Sequence, residues 1–202
     1  YHELNTIKKF SKNNKILFFD CGCNYGFYSF YVASLSKDNE VISIEASKDT
    51  LNEFKKNLNL NNFSKIKLFN KAISDTDNKI ITFKESEKDW ESSVVHQNYS
   101  SNETTTVNSI KIDTVAQAYQ LDNYKIIIKL DIEGNEMNAI EGSLELIKKT
   151  SPLIIIEFSK YIFNIENNIE YLKNFLMTYD YSIYDTNNKK QNLENILTAI
   201  NN

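Results

Sequence analysis

The stretch at residues 15–26 constrains this chain most strongly, because it joins an apolar segment, a carboxylate and a glycine-bearing turn. Residues 16–19 are apolar without interruption, which is typical of a parallel strand buried on both faces. The chain has only four glycines, and Gly22 and Gly26 follow this segment at once. Glycine is needed where the backbone approaches something closely or takes a positive φ. We therefore predict a ligand-binding turn between a strand and a helix.

Strand-like and helix-like segments alternate along the chain, which predicts an α/β fold, a doubly wound and mostly parallel sheet with helices on both faces. The predicted parallel strands are 16–20, 41–45, 66–70, 124–130 and 153–158, and the predicted helices are 3–11, 26–36, 49–60, 135–149 and 166–178. Further strands are predicted at 79–84 and 105–112, and Asp113 is expected to cap a short helix. Residues 181–184 and 196–200 are expected to form a closing antiparallel pair at the C-terminus.

Composition narrows the class of protein. With 202 residues and no linker, we expect a single domain, 1–202. A net charge of -4 and a pI near 5.3 argue against a nucleic-acid partner. No apolar run reaches the roughly 18 residues of a membrane span. Cys21 and Cys23 cannot build a disulfide framework, so we expect a reducing, cytoplasmic location. The chain opens on Tyr1, so we expect native residues to precede it.

The turn after the first strand departs from the dinucleotide-binding pattern G-x-G-x-x-G. Counting from Gly22, Asn24 and Phe27 stand where the second and third glycines would be. The observed form is Asp20-x-Gly22-x-x-x-Gly26, which resembles motif I of class I S-adenosylmethionine-dependent methyltransferases. That resemblance implies close backbone approach to the methionine and ribose parts of the cofactor, and carboxylates for its ammonium and hydroxyl groups.

Two carboxylates suit such a cofactor. Asp20 would orient the ammonium, directly or through the loop and water, and Glu45 at the end of the second strand would accept both ribose hydroxyls. A structural alternative is that Asp20 only caps the next helix while the glycines turn the chain. Cys21 and Cys23 are expected to be small buried side chains, with Cys23 and Asn24 reaching the cofactor through backbone groups.

A second polar cluster follows the strand at 124–130. Lys129 lies within an apolar strand, where an ammonium is costly unless it is paired. Asp131, Asp20 and Glu157 are candidate partners, and a purely structural ion pair is the alternative. If extension persisted, Lys129, Asp131 and Glu133 would share one face of the strand.

These segments together resemble the FkbM family of methyltransferases. Residues 20–29 read D-C-G-C-N-Y-G-F-Y-S, similar to D-x-G-A-N-x-G-x-x-S, and residues 128–136 read I-K-L-D-I-E-G-N-E, similar to I-K-I-D-V-E-G-A-E. The resemblance also rests on residues 44–46, 57–61, 72–73, 92–93, 112–115 and 152–157. Cys23, Ala46 and Asn135 replace the family's usual Ala, Pro and Ala, and none of these departures removes a charge. The resemblance implies S-adenosylmethionine as cofactor and methyl transfer to oxygen on acceptors that include sugars and polyketides.

The predicted site residues fall into three groups. Cofactor-binding residues are Asp20, Gly22, Cys23, Asn24, Gly26, Glu45, Ala46, Ala72 (near the adenine) and Asp131. Catalytic residues are Asp131, Glu133 and Lys129, with Asp131 the first candidate for the base because it ends a central strand beside the expected cofactor. Substrate-binding residues are Ser92, Ser93 and His96, within a polar and mobile lid expected at 85–104, and Glu157, which closes the last parallel strand. A divalent cation between Asp131 and Glu157 is chemically possible, but no metal is predicted.

The sequence therefore predicts an enzyme that methylates a hydroxyl oxygen of a small-molecule or saccharide acceptor. Two alternatives stay open. One is a nucleotide-dependent oxidoreductase with a Rossmann fold, which the two missing glycines oppose. The other is a catalytically inactive binding domain that keeps the fold. The sequence gives no indication of oligomeric state.

Overall fold

The computed structural model describes residues 2–84, 104–158 and 168–201. The helices are α1 (His2–Ser11), α2 (Phe27–Leu35), α3 (Lys48–Asn59), α4 (Ile112–Ala116), α5 (Glu136–Glu141), α6 (Leu144–Thr150), α7 (Asn168–Thr178) and α8 (Leu193–Asn201). The strands are β1 (Ile16–Cys21), β2 (Glu40–Glu45), β3 (Ile66–Asn70), β4 (Ala72–Ile73), β5 (Ile80–Lys84), β6 (Thr104–Ile110), β7 (Lys125–Leu130), β8 (Leu153–Ile156), β9 (Ile183–Tyr184) and β10 (Lys190–Gln191).

Five strands form one parallel sheet in the order β3-β2-β1-β7-β8. Apolar side chains on both faces explain why these strands are nearly continuous runs of Ile, Leu, Val and Phe. The register places Asp20 opposite Lys129, and Ile44 opposite Cys21. Because parallel strands end at the same edge, the carboxylates at or just after the ends of β1, β2, β7 and β8 are brought to one side of the molecule.

Alternate residues of the strands enter two separate cores. Leu17 and Phe19 pack with α4, α5, α6 and α7 on one face of the sheet. Ile16, Phe18 and Ile127 pack with α1, α2 and α3 on the other. This arrangement confirms the predicted α/β fold with helices on both faces of a parallel sheet.

A second sheet of three strands, in the order β4-β6-β5, continues from β3. β5 and β6 are antiparallel, while β4 and β6 are parallel. Both additional strands predicted from the sequence are present. The second of them ends at Ile110 rather than at residue 112.

The helix predicted over 135–149 is in fact two helices, α5 and α6, separated at Gly142 and Ser143. A Cβ on Gly142 would overlap the carbonyl oxygen of Ser74, so the chain breaks where the two backbones touch. Asp113 was expected to cap its own helix, but it lies inside α4. Its carboxylate instead accepts the backbone N–H groups of Glu145 and Leu146, at 3.1 and 2.9 Å, and so caps α6.

The closing antiparallel pair is present, but one of its strands was wrongly placed. β9 pairs with β10, and residues 196–200 belong to α8. The apolar residues of this segment recur at helical spacing, so they suit one face of a helix better than a strand.

Among the described residues, no helix has the length and apolar character needed to cross a membrane.

Candidate active site

Loop 1, residues 22–26, connects β1 to α2 and takes left-handed backbone angles at three positions. φ is 75° at Gly22, 48° at Asn24 and 92° at Gly26. Asn enters this region at lower cost than most residues. A Cβ on Gly22 would overlap the carbonyl oxygen of Asp131, and a Cβ on Gly26 would overlap the ring of Phe54. Both glycines are thus required by close contacts within the protein.

All five backbone N–H groups of loop 1 donate within the protein. The pairs are Gly22 and Cys23 to the Ile44 carbonyl (2.9 and 3.2 Å), Asn24 to Glu45 Oε2 (3.0 Å), Tyr25 to Asn24 Oδ1 (2.7 Å) and Gly26 to the Cys23 carbonyl (2.9 Å). Dinucleotide-binding loops instead direct free N–H groups at a pyrophosphate. The backbone N–H groups of loop 1 are therefore already used within the protein. Loop 1 suits a ligand that donates hydrogen bonds to the protein better than one that must accept them from backbone N–H groups.

Glu45 ends β2 and faces loop 1. One carboxylate oxygen accepts the N–H of Asn24 and the other accepts the N–H of Ser47 at 2.9 Å. Burial raises the pKa of Glu45 above its ordinary value, while these two N–H groups oppose the rise. A carboxylate has about four lone-pair positions, so each oxygen can still accept a hydroxyl.

Asp20 is 1% exposed and lies beneath loop 1. Its Oδ2 accepts the hydroxyl of Ser29 at 2.6 Å, and Ser29 Oγ lies 2.7 Å from Ser43 Oγ. Oδ1 has no hydrogen-bond partner in the described part of the chain. Burial raises the pKa of Asp20, and Lys129 opposes the rise. These contacts support a structural role at the start of α2. A role in orienting the cofactor stays a prediction, and at this depth it requires the loop or water.

Lys129 is 6% exposed and its ammonium lies 2.7 Å from Asp131 Oδ2. Burial alone would lower the pKa of Lys129, but the carboxylates of Asp20 and Asp131 raise it above its ordinary value. The direct partner is thus Asp131, and Asp20 contributes from beneath. Burial would raise the pKa of Asp131, yet Lys129 and a hydrogen bond from Glu157 hold it below its ordinary value. Asp131 is therefore ionised at neutral pH.

Glu157 follows β8 and shares a hydrogen bond with Asp131. This hydrogen bond, burial and the charge of Asp131 together raise the pKa of Glu157 to about 8. At neutral pH the two side chains are therefore a carboxylic acid and a carboxylate. Lys129 makes its closest ion pair with Asp131 rather than with Glu157, so the two strand ends are tied through Asp131.

Loop 2, residues 131–135, is held in a tight turn by Glu136. The buried carboxylate of Glu136 accepts the N–H groups of Ile132 and Gly134, at 3.1 and 3.0 Å. Glu133 and Gly134 both take positive φ, at 54° and 104°. The strand has ended at Leu130, so extension does not persist to Glu133 as its alternation with Lys129 would require.

Carboxylate oxygens of Asp131, Glu133 and Glu157 all lie within 4.8 Å of one another. Oxygen ligands at this spacing are of the type that Mg²⁺ and Ca²⁺ bind. Exposed acidic groups also form such clusters without an ion.

Several of the remaining residues predicted to contact the cofactor are buried in the cores of the two sheets. Ala72 is buried in the core of the second sheet, and Ala46 packs against that same cluster. Cys21 and Cys23 are buried, and burial raises the pKa of both thiols. The expectation of small buried cysteine side chains is confirmed.

Ser92, Ser93, His96 and the lid predicted at 85–104 fall outside the described residues, apart from Thr104 in β6, and stay predictions.

A cavity of about 560 Å³ opens beside Lys129, Asp131 and Glu157. Tyr28, from the first turn of α2, also lines it, with its ring centroid 4.8 Å from the Lys129 ammonium. Sequence reasoning gave no role to Tyr28, Ser29 or Glu136. All three lie in the quoted motifs, but only the fold shows that they contact Lys129, Asp20 and loop 2.

The parallel sheet, the glycine loop after β1 and the carboxylates at the strand ends define a class I methyltransferase fold. The family model described as "Methyltransferase FkbM domain" matches residues 20–183, and the chain belongs to that family. This membership confirms the resemblance found in the sequence, and with it the class of cofactor, S-adenosylmethionine.

Solved structures of low sequence identity share the fold. Methyltransferase FkbM from Methylobacillus flagellatus KT matches with a TM-score of 0.51 and 20% identity, over 82% of this chain and 37% of that chain. A putative rRNA-methylase from Clostridium thermocellum matches with a TM-score of 0.50 and 16% identity, over 85% of this chain and 76% of that one. The present chain thus spans little more than a third of the FkbM structure. No curated protein matches the chain.

Proposed function

We propose that this chain transfers a methyl group from S-adenosylmethionine to a hydroxyl oxygen of a small-molecule or saccharide acceptor. The observation that carries the proposal is the contact between the two loops. Gly22 of loop 1 touches the carbonyl of Asp131, and the N–H of Asp131 donates to the Cys21 carbonyl at 3.2 Å. A cofactor on loop 1 therefore lies next to Asp131.

The residues around loop 1 fit this cofactor. Glu45 keeps free lone pairs for the ribose hydroxyls, and the partly buried Ala46 offers an apolar surface for the adenine above the buried Ala72. Loop 1 has spent its own N–H groups, so it suits the ammonium-bearing methionine part better than a pyrophosphate. This distinction favours the methyl donor over the nucleotide-dependent oxidoreductase considered above.

Chemically, S-adenosylmethionine supplies a methyl group already activated by its sulfonium, so the protein has mainly to align the reacting atoms. Asp131, ionised and in contact with loop 1, accepts the proton of the attacking hydroxyl. Lys129 fixes the orientation of Asp131 through the 2.7 Å ion pair, and Glu157 donates to it from the adjacent strand end. Glu133 completes the acidic wall of this site. The reduced basicity of Asp131 is acceptable because proton transfer accompanies displacement at an activated carbon.

The acceptor's binding residues are proposed to include Glu157 with Ser92, Ser93 and His96. A cytoplasmic location is part of the same proposal, since two reduced buried cysteines suit it. No metal is part of the proposed mechanism, although Asp131, Glu133 and Glu157 are the side chains that would hold one.

Calorimetric titration with S-adenosylmethionine, S-adenosylhomocysteine and NADH tests the proposal. Binding of the first two without NADH supports it, and NADH binding alone would establish the oxidoreductase. Incubation with labelled cofactor and extracts of the source cell's glycans and small metabolites then tests turnover. Cofactor binding without any labelled product would identify a catalytically inactive binding domain.

A further inference from the structure

Tyr28 occupies a position that the proposed chemistry does not yet use. Its ring lies over the Lys129 ammonium, and Phe27 packs edge-on against it with ring centroids 5.4 Å apart. Tyr28 lines the same cavity as Asp131 and Glu157, the side chains next to the proposed reaction. The aromatic ring of Tyr28, beside the proton-accepting Asp131, can hold the apolar face of the substrate that receives the methyl group.

Helix α1 contributes to the same wall. Glu3 and Thr6 line the cavity together with Tyr28. Burial raises the pKa of Tyr28, and the charge of Glu3 raises it further, so the carboxylate lies near the phenol. The helix is anchored here because Tyr31 donates from its hydroxyl to the Leu4 carbonyl at 3.2 Å, and Ile7 is fully buried.

The charges around the cavity are mostly negative. Glu3, Asp131 and Asp185 place carboxylates on its lining, while the Glu157 carboxyl group beside Asp131 holds a proton at neutral pH. Among the described lining residues Lys129 is the single cation, and it is already paired with Asp131. The chain contains no arginine, so bidentate recognition of a phosphate is not available anywhere in it.

We propose that Tyr28 and α1 form the acceptor-binding wall of this site, and that the wall selects hydroxyl compounds with no anionic group near the reacting oxygen. This inference rests on the proposed methyl transfer and adds the charge class of the acceptor. A phosphate or carboxylate next to Glu3 and Asp131 is repelled by their negative charge, and no free cation among the described lining residues compensates for it. Electrostatic repulsion therefore discriminates against anionic substrates in favour of neutral ones. A neutral polyol meets carboxylates that accept its hydroxyls and a ring that packs on its C–H face.

The test compares three probes with the same ring and different charge: glucose, glucosamine and glucose 6-phosphate. Each is titrated by calorimetry, at low ionic strength, into the full chain loaded with S-adenosylhomocysteine. Glucose 6-phosphate is expected to bind at least about tenfold more weakly than glucose, as a like charge at short range predicts. Glucosamine is expected to bind at least as tightly as glucose.

Charge variants locate the source of the selectivity. Glu3→Lys is expected to reduce the ratio between glucose and glucose 6-phosphate at least about threefold. Glu53→Lys makes the same change of charge on the exposed side of α3, outside the cavity lining, and should leave the ratio unchanged. Tyr28→Ala is expected to weaken glucose and glucosamine, with Tyr28→Phe retaining both because the ring remains.

Glucose 6-phosphate binding as tightly as glucose would overturn the inference. So would three indistinguishable probes, including the case in which none gives measurable heat, or equal effects of Glu3→Lys and Glu53→Lys. Failure of S-adenosylhomocysteine to load the protein is a separate result, because it contradicts the proposed function on which the inference rests.

Discussion

Gly22 and Asp131 touch through their backbones, and no other residue type fits at Gly22 without moving the Asp131 carbonyl. The contact joins the loop expected to hold the cofactor to the loop that carries the proposed base. It also ties β1 to β7, which are neighbours in the sheet. The spacing of the two halves of the site is thus set by the absence of one side chain.

Gly22→Ala is expected to lower the free energy of unfolding by at least about 2 kcal/mol. The reason is the left-handed φ of 75°, which costs an L-residue roughly 1–2 kcal/mol, together with the overlap with Asp131. Urea unfolding measures the change, with Ser34→Ala on the exposed side of α2 as the control. Identical unfolding midpoints for the two variants would contradict the assigned contact.

Glu45→Ala is expected to weaken S-adenosylhomocysteine by roughly 1–3 kcal/mol, the cost of leaving polar partners unpaired. The variant also releases the N–H groups of Asn24 and Ser47, so loop 1 should become less ordered. Calorimetry on Glu45→Ala and on the exposed Glu53→Ala measures the difference. Equal affinity in two folded variants would exclude Glu45 from the cofactor site.

Lys129→Met should destabilise the fold by about 1–3 kcal/mol, because it leaves Asp20 and Asp131 without their compensating charge. The expected loss is smaller than for a fully buried pair because the Asp131 side chain is 37% exposed and solvent screens its charge. The double variant with Asp131→Asn should recover part of the loss. A double-mutant cycle with no coupling would show that the ion pair does not matter for stability.

The pH dependence of this ion pair follows from its two partners. Burial would lower the pKa of Lys129, but Asp20 and Asp131 raise it above 10.5. The stability that charged Lys129 contributes is therefore complete below pH 10.5, and it is lost as the pH rises through the raised pKa of the folded state. The pKa of Asp131 is held below 3.8, so its stabilisation is complete above 3.8 and is lost as pH falls through the lower folded value. The loss of unfolding free energy in Lys129→Met should therefore be greatest between pH 3.8 and pH 10.5.

Glu157 should titrate near its raised pKa of about 8, which a carbon-13 NMR titration of the carboxyl group can measure. Between the ordinary value of 4.5 and about 8, the native state holds a proton that the unfolded state has lost, so stability falls as pH rises. Glu157→Gln should flatten this slope. In Asp131→Asn the pKa of Glu157 should return towards 4.5, since its hydrogen-bond partner has lost its charge. Titration of the unaltered protein near 4.5 would contradict the shared proton.

The sequence was sufficient to predict the strands and the carboxylates at their ends. Strands β1, β2 and β7 are mainly apolar and end within one residue of Asp20, Glu45 and Asp131, and parallel pairing alone brings those ends together. The sequence did not predict which carboxylate pairs with Lys129. Three carboxylates lay within reach on sequence grounds, and only the register and the rotamers select Asp131.

Long-range contacts account for the errors. The break between α5 and α6 depends on Ser74, which lies 68 residues from Gly142 and touches it only in the fold. Asp113 caps α6 rather than α4 for the same reason. The prediction that residues 196–200 close an antiparallel pair is wrong because these residues belong to α8, where their apolar side chains recur at helical spacing.

Asp131→Asn provides the most direct test of the proposed mechanism, because amide and carboxylate have nearly the same shape. The measurement is methyl transfer at saturating S-adenosylmethionine, with cofactor affinity and unfolding free energy determined on the same protein. If Asp131 is the base, turnover should fall on the order of 10²–10⁴-fold while cofactor affinity is largely retained. Turnover that survives at saturation, with weakened cofactor binding, would make Asp131 an anchor for the cofactor. Turnover that survives with only a loss of stability would reduce it to the partner of Lys129.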